Sequence, residues 1–385
     1  MCTRRLTAVL ALAVGLVLLG APALAWGYGD HNGDDTINLI DYAEFPACLA
    51  GPGGGLGTGC GVFDFDTDAD VDLFDFAGFQ RVFGVQAGVV IDTVPVGNPG
   101  NANDATGYGA VDYAYNIGKY EVTAGQYTEF LNAVAATDAY GLYNPSMDSG
   151  HYGCQITQNG TSGTFTYDFS GGTVEAPGST AADWADRPVN YVSWGDAARF
   201  ANWLHNGQPT GAQDLSTTED GSYFLDGATT DAELLAITRA PDATWVIPSE
   251  DEWYKAAYHC NDGVTGNYFD YPMGSDSLPS NYLIDPDPGD SATFYGYPAL
   301  GYTIGLPYYR TEVGAHENSA SPYGAFDQGG NVYEWNETMI DGVVRGLRGG
   351  SFSGDRSYMR ETWRSYSYPS YENGNDIGFR VAEVP

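Results

Sequence analysis

The stretch from Gly349-Gly350-Ser351 to Gly378-Phe379-Arg380 decides the fold of this chain. It follows the motif Gly330-Asn331-Val332-Tyr333-Glu334-Trp335. Three more motifs lie upstream: Ile117-Gly118-Lys119-Tyr120-Glu121-Val122-Thr123, Arg187-Pro188-Val189-Asn190-Tyr191-Val192-Ser193-Trp194 and Pro248-Ser249-Glu250-Asp251-Glu252-Trp253. Because these motifs extend over about residues 90 to 385, they indicate one large domain.

From Val89 onward the composition predicts a loop-rich α+β domain. Tyr, Gly, Asn and Trp are frequent and long apolar runs are few, which is typical of short strands joined by loops. Capping boxes, in which the cap residue and the residue three positions later bond each other's backbone, predict three helices. The cap and partner residues are Thr123 with Gln126, Ser193 with Asp196, and Ser249 with Glu252. The segment 207–231 is rich in Gly, Thr and Asp and predicts surface loops or short hairpins.

The net charge of the chain is -35 over 385 residues. Such a chain repels phosphate backbones and anionic lipid surfaces, so we expect neither nucleic acid nor a membrane surface as a partner. Cations are the expected partners. The same acidity serves solubility alone unless the carboxylates are clustered.

Residues 1–25 have the three-part pattern of a cleaved secretory signal, from Arg4-Arg5 through an apolar stretch to Ala23-Leu24-Ala25. The apolar stretch is shorter than about 18 residues and ends in small residues, so cleavage near Trp26 is favoured over a membrane anchor. No later segment is expected to span a membrane. We therefore expect a bacterial protein that is exported by the Sec pathway and is secreted or held at the cell surface.

Four cysteines remain after signal cleavage, and in an oxidising compartment they allow three pairings. A short glycine-rich loop joins Cys48 to Cys60, which favours a disulfide between these two. Cys154 and Cys260 would then form the second pair by elimination.

The first mature segment contains an internal repeat, in which Asp64 to Phe79 repeats Asp30 to Phe45. Both copies place oxygen-bearing residues at the calcium-binding positions of an EF-hand-type loop. These residues are Asp30, Asn32, Asp34, Thr36, Asn38 and Asp41 in the first copy and Asp64, Asp66, Asp68, Asp70, Asp72 and Asp75 in the second. Thr36 and Asp70 would each contribute a backbone carbonyl. One such run is also compatible with a solvated acidic turn, but two copies in register predict two calcium sites, each followed by a helix.

This repeat resembles a dockerin module, a pair of calcium loop-helix units that docks onto a cohesin domain of another protein. The resemblance covers about residues 29 to 86 and implies a small helical module over residues 26–88 with a cohesin-like partner. Two departures are present. The sixth loop position, which favours positive φ, is Asp35 or Ala69 instead of Gly, and a glycine-rich insert runs from Gly51 to Gly61.

The motifs of the large domain, residues 89–385, resemble the formylglycine-generating enzyme (sulfatase-modifying factor) family. The resemblance implies a decorated C-type-lectin-like α+β fold with little regular structure. Enzymes of that family bind copper(I) through two cysteines shortly after Gly-Gly-Ser and oxidise a sulfatase cysteine to formylglycine. Soft thiolates suit this soft ion. Here Gly354 and Met359 stand at the two cysteine positions, so copper is not expected and the domain is interpreted as a pseudoenzyme for this reaction.

The resemblance also implies two features that do not need copper. Four side chains would line the family's peptide groove, called here the candidate groove: Ser351, Arg356, Tyr358 and Trp363. Tyr358 and Trp363 are equally compatible with core packing. Asn331 and Glu334 match the family's structural calcium site.

Two functions of different class therefore remain open. The first is an exported calcium-binding protein whose large domain binds a peptide or glycan and is tethered by the dockerin-like repeat. The alternative is an oxidoreductase of the same family that modifies a protein or peptide by a route without the cysteine pair. The five histidines show no metal-ligand spacing, and a related branch with iron on histidines uses a helical domain that this chain lacks. A third, weaker reading makes the domain a structural element of an extracellular assembly.

Overall fold

The computed structural model of the protein describes residues 31, 37, 39–51, 53–64, 69–73, 75–76, 79, 88–149, 151–169, 181–296, 300–372 and 374–385. The chain divides after Val89 into two compact units, of which the larger contains Val90–Pro385.

The smaller unit contains helix α1 (Leu39–Cys48) and a short 3-10 turn (Cys60–Phe63). Its apolar core joins the two repeats and contains Ile37, Phe45, Phe63, Val71 and Phe79. The first repeat therefore has the helix predicted after its loop, and the matching apolar residues of both repeats are buried.

The described part of the larger unit has six further helices. They are α2 (Ala124–Val134), α3 (Ser146–Ser149), α4 (Ala182–Ala185), α5 (Trp194–His205), α6 (Asp231–Ala236) and α7 (Glu250–Tyr258). The capping boxes at Thr123, Ser193 and Ser249 are all formed, so the three predicted helix starts are confirmed. A further capping box at Thr230 begins α6, at the end of the segment predicted as loops.

The strands of the larger unit are short. They are β1 (Thr93–Val96), β2 (Tyr115–Gly118), β3 (Thr157–Asn159), β4 (Thr166–Asp168), β5 (Trp245–Val246), β6 (Tyr295–Gly296), β7 (Gly301–Tyr302), β8 (Tyr333–Ile340), β9 (Val344–Arg348), β10 (Ser365–Ser367), β11 (Ile377–Gly378) and β12 (Ala382–Glu383). Two four-stranded sheets have the orders β1-β2-β12-β5 and β10-β9-β8-β11, while β3-β4 and β6-β7 are hairpins. The architecture is a mixed α and β fold with long connections, as the composition predicted.

The last strands bring the sequence motifs together. β11 pairs in parallel with β8, so that Gly378 lies opposite Glu334. β12 then pairs with β2, which places Ala382 opposite Ile117. The C-terminal segment therefore joins the two four-stranded sheets and carries Arg380 between them.

The structure contains the first predicted disulfide, Cys48 with Cys60, but the second predicted pair, Cys154 with Cys260, is wrong. Cys48 and Cys60 are joined, with their Cα atoms 5.5 Å apart. Cys154, however, is a buried free thiol, whereas Cys260 is disulfide-bonded, so these two do not form a pair. Elimination failed because it assumed that every cysteine after the signal is bonded.

Among the helices of the described residues, none combines the length and the apolar character needed to cross a membrane.

Candidate functional site

Two glycines after β9 form the turn that carries Ser351. Gly349 and Gly350 have φ values of 98° and 74°, a region that disfavours side chains. A Cβ on Gly349 would also lie 2.9 Å from the Gln328 carbonyl oxygen. The turn buries Ser351, whose Oγ donates a hydrogen bond of 2.8 Å to Oδ2 of Asp376. Asp376 was not found from the sequence, although it lies two residues before the Gly378 motif.

Neither of the two predicted cysteine positions, Gly354 and Met359, carries a thiol. Gly354 offers no side chain, and a Cβ there would lie 2.7 Å from Cδ2 of Tyr358. Met359 is fully buried in an apolar cluster with Tyr271, Phe294 and their neighbours. Its thioether is therefore a packing group, and the Tyr358 ring fills the space of a side chain at 354.

The candidate groove has an aromatic pair at its surface. The rings of Tyr358 and Trp363 are 4.5 Å apart, and Trp363 is 41% exposed. Arg356 begins the short 3-10 helix Arg356–Met359 and is exposed. Ser351 differs from these three because its hydroxyl is turned inward to Asp376. The structure thus brings Tyr358 and Trp363 together and leaves Ser351 in a supporting position.

A buried ion pair lies where calcium was expected in the large domain. Arg380 donates from Nε and Nη2 to both carboxylate oxygens of Glu334, at 2.6 and 2.7 Å, and both side chains are fully buried. Trp253 Nε1 donates to the same carboxylate at 2.6 Å. The Oδ1 of Asn331 accepts from the backbone N–H of Thr311 at 3.0 Å. The side-chain oxygens of Asn331 and Glu334 therefore already have protein partners.

Glu121 is the residue of this region that sequence reasoning missed. It is 1% exposed, and neither of its carboxylate oxygens has a hydrogen-bond partner among the described residues. Burial, followed by the nearby carboxylates of Asp327 and Glu334, holds the pKa of Glu121 well above its usual range. Burial likewise raises the pKa of Asp327. The motif around Tyr120-Glu121-Val122-Thr123 was the signal that could have identified Glu121.

The Glu121 carboxylate is the group of this region that could contact a hard cation. A buried carboxylate without a hydrogen-bond partner is costly unless it is protonated or meets a positive charge. Calcium takes oxygen ligands, carboxylates among them. Glu121 could therefore contact calcium, whereas both carboxylate oxygens of Glu334 are already bonded to Arg380.

The second repeat of the smaller unit places three acidic side chains together. Carboxylate oxygens of Asp70, Asp72 and Asp75 lie within 4.8 Å of one another, and all three residues are buried. Asp64, at the first position of the same loop, is also buried, and its Oδ1 has no hydrogen-bond partner among the described residues. Ala69 has a φ of 71°, the left-handed conformation expected at the sixth position.

In the first repeat, the predicted final ligand Asp41 is fully buried, and its Oδ1 accepts from the backbone N–H of His31 at 2.8 Å. The predicted signal segment 1–25 lies outside the described residues. The same holds for the remaining predicted loop ligands, which are Asp30, Asn32, Asp34, Thr36, Asn38, Asp66 and Asp68.

A known protein family matches nearly the whole large domain. The sulfatase-modifying factor enzyme 1-like domain (FGE-sulfatase) matches residues 97–384. The chain belongs to this family. Its relative hercynine oxygenase from Mycobacterium tuberculosis is 25% identical over 289 residues, which is 70% of this chain and 52% of that protein. The chain thus spans about half the length of this curated relative.

The solved structures that resemble this chain have lower sequence identity to it. They include CarF (TM-score 0.46, 19% identity, covering 77% of this chain and 99% of CarF) and Treponema denticola variable protein 1 (0.44, 20%, 77% and 96%). PvdO from Pseudomonas aeruginosa has a TM-score of 0.40 and 17% identity, with 77% and 92% covered.

Within this family member, the described residues contain one group of three or more His, Cys, Asp or Glu side chains close enough to share an ion, which is the Asp70, Asp72 and Asp75 group. The described histidines do not come together in such a group. Burial lowers the pKa of both His259 and His316, and His259 Nδ1 lies 2.7 Å from the Tyr323 hydroxyl, as expected for packed histidines.

Proposed function

We propose that this protein is an exported, calcium-stabilised binding protein whose sulfatase-modifying-factor-type domain does not perform copper-dependent formylglycine synthesis. The observation that carries the proposal is the Tyr358 ring in the space of a side chain at position 354. Copper(I) needs two thiolates at this place in the family, and Gly354 and Met359 supply none. The single thioether of Met359 is enclosed by apolar side chains.

The ligand is proposed to bind at the candidate groove. Tyr358 and Trp363 offer flat apolar faces, and Arg356 is an exposed cation two residues before Tyr358. Tyr366 in β10, three residues after Trp363, is also 62% exposed. Aromatic faces with a few polar groups suit a peptide or a glycan, and large exposed aromatics are typical of binding surfaces.

Calcium is proposed in both units. In the large domain the Glu121 carboxylate would contact the ion, and in the smaller unit the two repeated loops would hold it. The ion would neutralise carboxylates whose burial is otherwise costly. Chelation is therefore expected to lower the thermal stability of both units, and an unchanged melting curve would remove the calcium proposal.

The repeat is proposed to tether the protein to a cohesin-like partner at or outside the cell. The repeated pattern of a calcium loop followed by a helix supports this role. Pull-down with a cohesin domain, in calcium and after chelation, tests it: binding in calcium that is lost on chelation is expected, and no binding in either condition refutes the tether.

The central test is a reaction. The purified mature protein is incubated with copper(I), oxygen and a Cys-x-Pro-x-Arg peptide, and the peptide is examined by mass spectrometry for the aldehyde. An enzyme of the family with the cysteine pair serves as the positive control. No aldehyde is expected, and its formation would overturn the binding-only function.

A second candidate function is an oxidoreductase that does not use the cysteine pair. It is favoured by the family itself and by a relative that is a hercynine oxygenase. Oxygen uptake with iron(II) and the same peptide tests it, because a metal-dependent oxidase would consume oxygen in step with peptide modification. The described histidines offer no cluster for that iron, so no uptake is expected.

A further inference from the structure

The glycine-rich insert of the smaller unit is closed at its base and bonded to the second calcium loop. The disulfide between Cys48 and Cys60 closes it. At its start, the backbone N–H groups of Ala50 and Gly51 both donate to the carbonyl of Val71, at 3.0 and 3.1 Å. Val71 is the eighth residue of the second loop, so the insert is hydrogen-bonded to the backbone of that loop.

A third bond joins the insert to an acidic side chain of the same loop. The backbone N–H of Gly53 donates to Oδ2 of Asp70. Asp70 is the seventh loop residue, the one whose backbone carbonyl is a calcium ligand in such loops. Its carboxylate lies within 4.8 Å of those of Asp72 and Asp75. The insert therefore fixes both the backbone and the side chain at the centre of the proposed ion site.

We propose that the disulfide-closed insert is a structural part of the second calcium site, and that the calcium affinity of this loop depends on the bond between Cys48 and Cys60. This inference rests on the proposed calcium binding by the repeat. Without the disulfide, the insert can leave Val71 and Asp70, and the loop must then be ordered when calcium binds. A site that is ordered in advance binds more tightly than one that is ordered by its ligand.

The proposed coupling between the disulfide and calcium binding acts in both directions. If the disulfide raises calcium affinity by some factor, bound calcium must favour the disulfide over the two thiols by the same factor. In the reduction, a dithiol transfers two electrons and two protons to the disulfide, giving two cysteine thiols and a cyclic disulfide. Calcium bound at the second loop should oppose this step because it holds the insert in place through Asp70.

Calorimetric titration with calcium tests the first direction on the full mature chain. The Cys48→Ser and Cys60→Ser double variant removes the disulfide that closes the insert. Asp75→Asn in the wild-type background assigns the affected site to the second loop. We expect the double variant to lose about tenfold in affinity at this site, within the usual range of coupling between sites.

The outcomes separate this inference from the proposed function. If wild type binds calcium and the double variant has the same calcium affinities, the proposed role of the disulfide-closed insert is overturned, whereas calcium binding by the repeat is not. No calcium binding by the wild type would overturn both.

Reduction of the wild-type disulfide tests the second direction and does not require the variant to fold. The protein is equilibrated in a buffer of reduced and oxidised dithiothreitol with calcium, with magnesium or after chelation, and thiol labelling followed by mass spectrometry reports the fraction of Cys48 and Cys60 that is reduced. Calcium should shift the equilibrium between the disulfide and the two thiols about tenfold towards the disulfide relative to the chelated protein. Asp75→Asn should remove this shift, whereas the matched Asp41→Asn in the first loop should retain it. Equal fractions of disulfide at equilibrium with calcium and after chelation would overturn the inference.

Discussion

The ring of Tyr358 occupies the space that a side chain at position 354 would need, with Cδ2 only 2.7 Å from a Cβ placed on Gly354. The same ring packs against Trp363 at 4.5 Å. The volume beside Gly354 is therefore filled by an aromatic side chain that also takes part in a surface ring pair.

Restoring the two cysteines alone should not restore copper binding. In Gly354→Cys with Met359→Cys, Tyr358 must move, and we expect a loss of about 1–3 kcal/mol in the free energy of unfolding from overpacking. The triple variant that adds Tyr358→Ala should bind copper(I) more tightly than the double variant. Competition with a chromophoric copper(I) chelator measures this. Gly305→Cys is the matched control, because a Cβ there meets nothing within 4 Å. Tight binding by the double variant would contradict the blocking role of Tyr358.

What could be predicted from the sequence was mainly local. The capping boxes at Thr123, Ser193 and Ser249 involve residues three positions apart, so their side chains and backbone meet whatever the rest of the chain does. The φ of 71° at Ala69 follows in the same way from its place in the loop. The motifs also indicated the family, because their order along the chain is preserved.

The site details depended on long-range pairing and could not be predicted. Ser351 meets Asp376 because β11 aligns in parallel with β8, a register that neither segment specifies alone. The ion pair of Glu334 with Arg380 arises from the same alignment. The free thiol of Cys154 likewise reflects three-dimensional distances that elimination among cysteines ignores.

Ala69→Gly should stabilise the second loop. Ala69 has a φ of 71°, and this conformation costs a residue with a side chain about 1–2 kcal/mol. Glycine loses more entropy on folding, about 0.5–1 kcal/mol, so the net gain in unfolding free energy should be about 0.5–1 kcal/mol. Calcium titration and thermal unfolding of the loaded protein measure the change. The matched substitution Ala43→Gly in α1 should lower the free energy of unfolding by about 1 kcal/mol. Equal effects of the two substitutions would contradict the strain at Ala69.

Asp196 should make the stability of the large unit depend on pH. Burial raises the pKa of Asp196 from 3.8 to about 7, although Ser193 donates to it from its N–H and its hydroxyl. Because the pKa is higher in the folded protein, the stability contributed by the bound proton is fully present below pH 3.8 and is lost as the pH rises through about 7.

Urea unfolding of wild type and Asp196→Asn at several values between pH 5 and pH 8 tests this dependence. Asparagine stays neutral, so the stability of wild type relative to the variant should fall by about 2–4 kcal/mol over this interval, since a pKa difference of one corresponds to about 1.4 kcal/mol. Parallel pH profiles of the two proteins would show that Asp196 does not titrate in this range.

The buried pair of Arg380 and Glu334 should be among the most sensitive points of the large domain. Arg380→Met leaves the fully buried Glu334 carboxylate without its cation, and breaking such a pair costs about 3–5 kcal/mol. Because calcium is proposed to lie near Glu334, the measurement is urea unfolding after chelation. Arg360 pairs with Asp270 at the surface, with side chains 42% and 41% exposed, so Arg360→Met should cost less than about 1 kcal/mol. Adding Glu334→Gln to Arg380→Met should recover part of the loss, because the unpaired charge is then removed. Similar losses for the two arginine substitutions would mean that a group other than Arg380 neutralises the Glu334 charge, and would contradict this prediction.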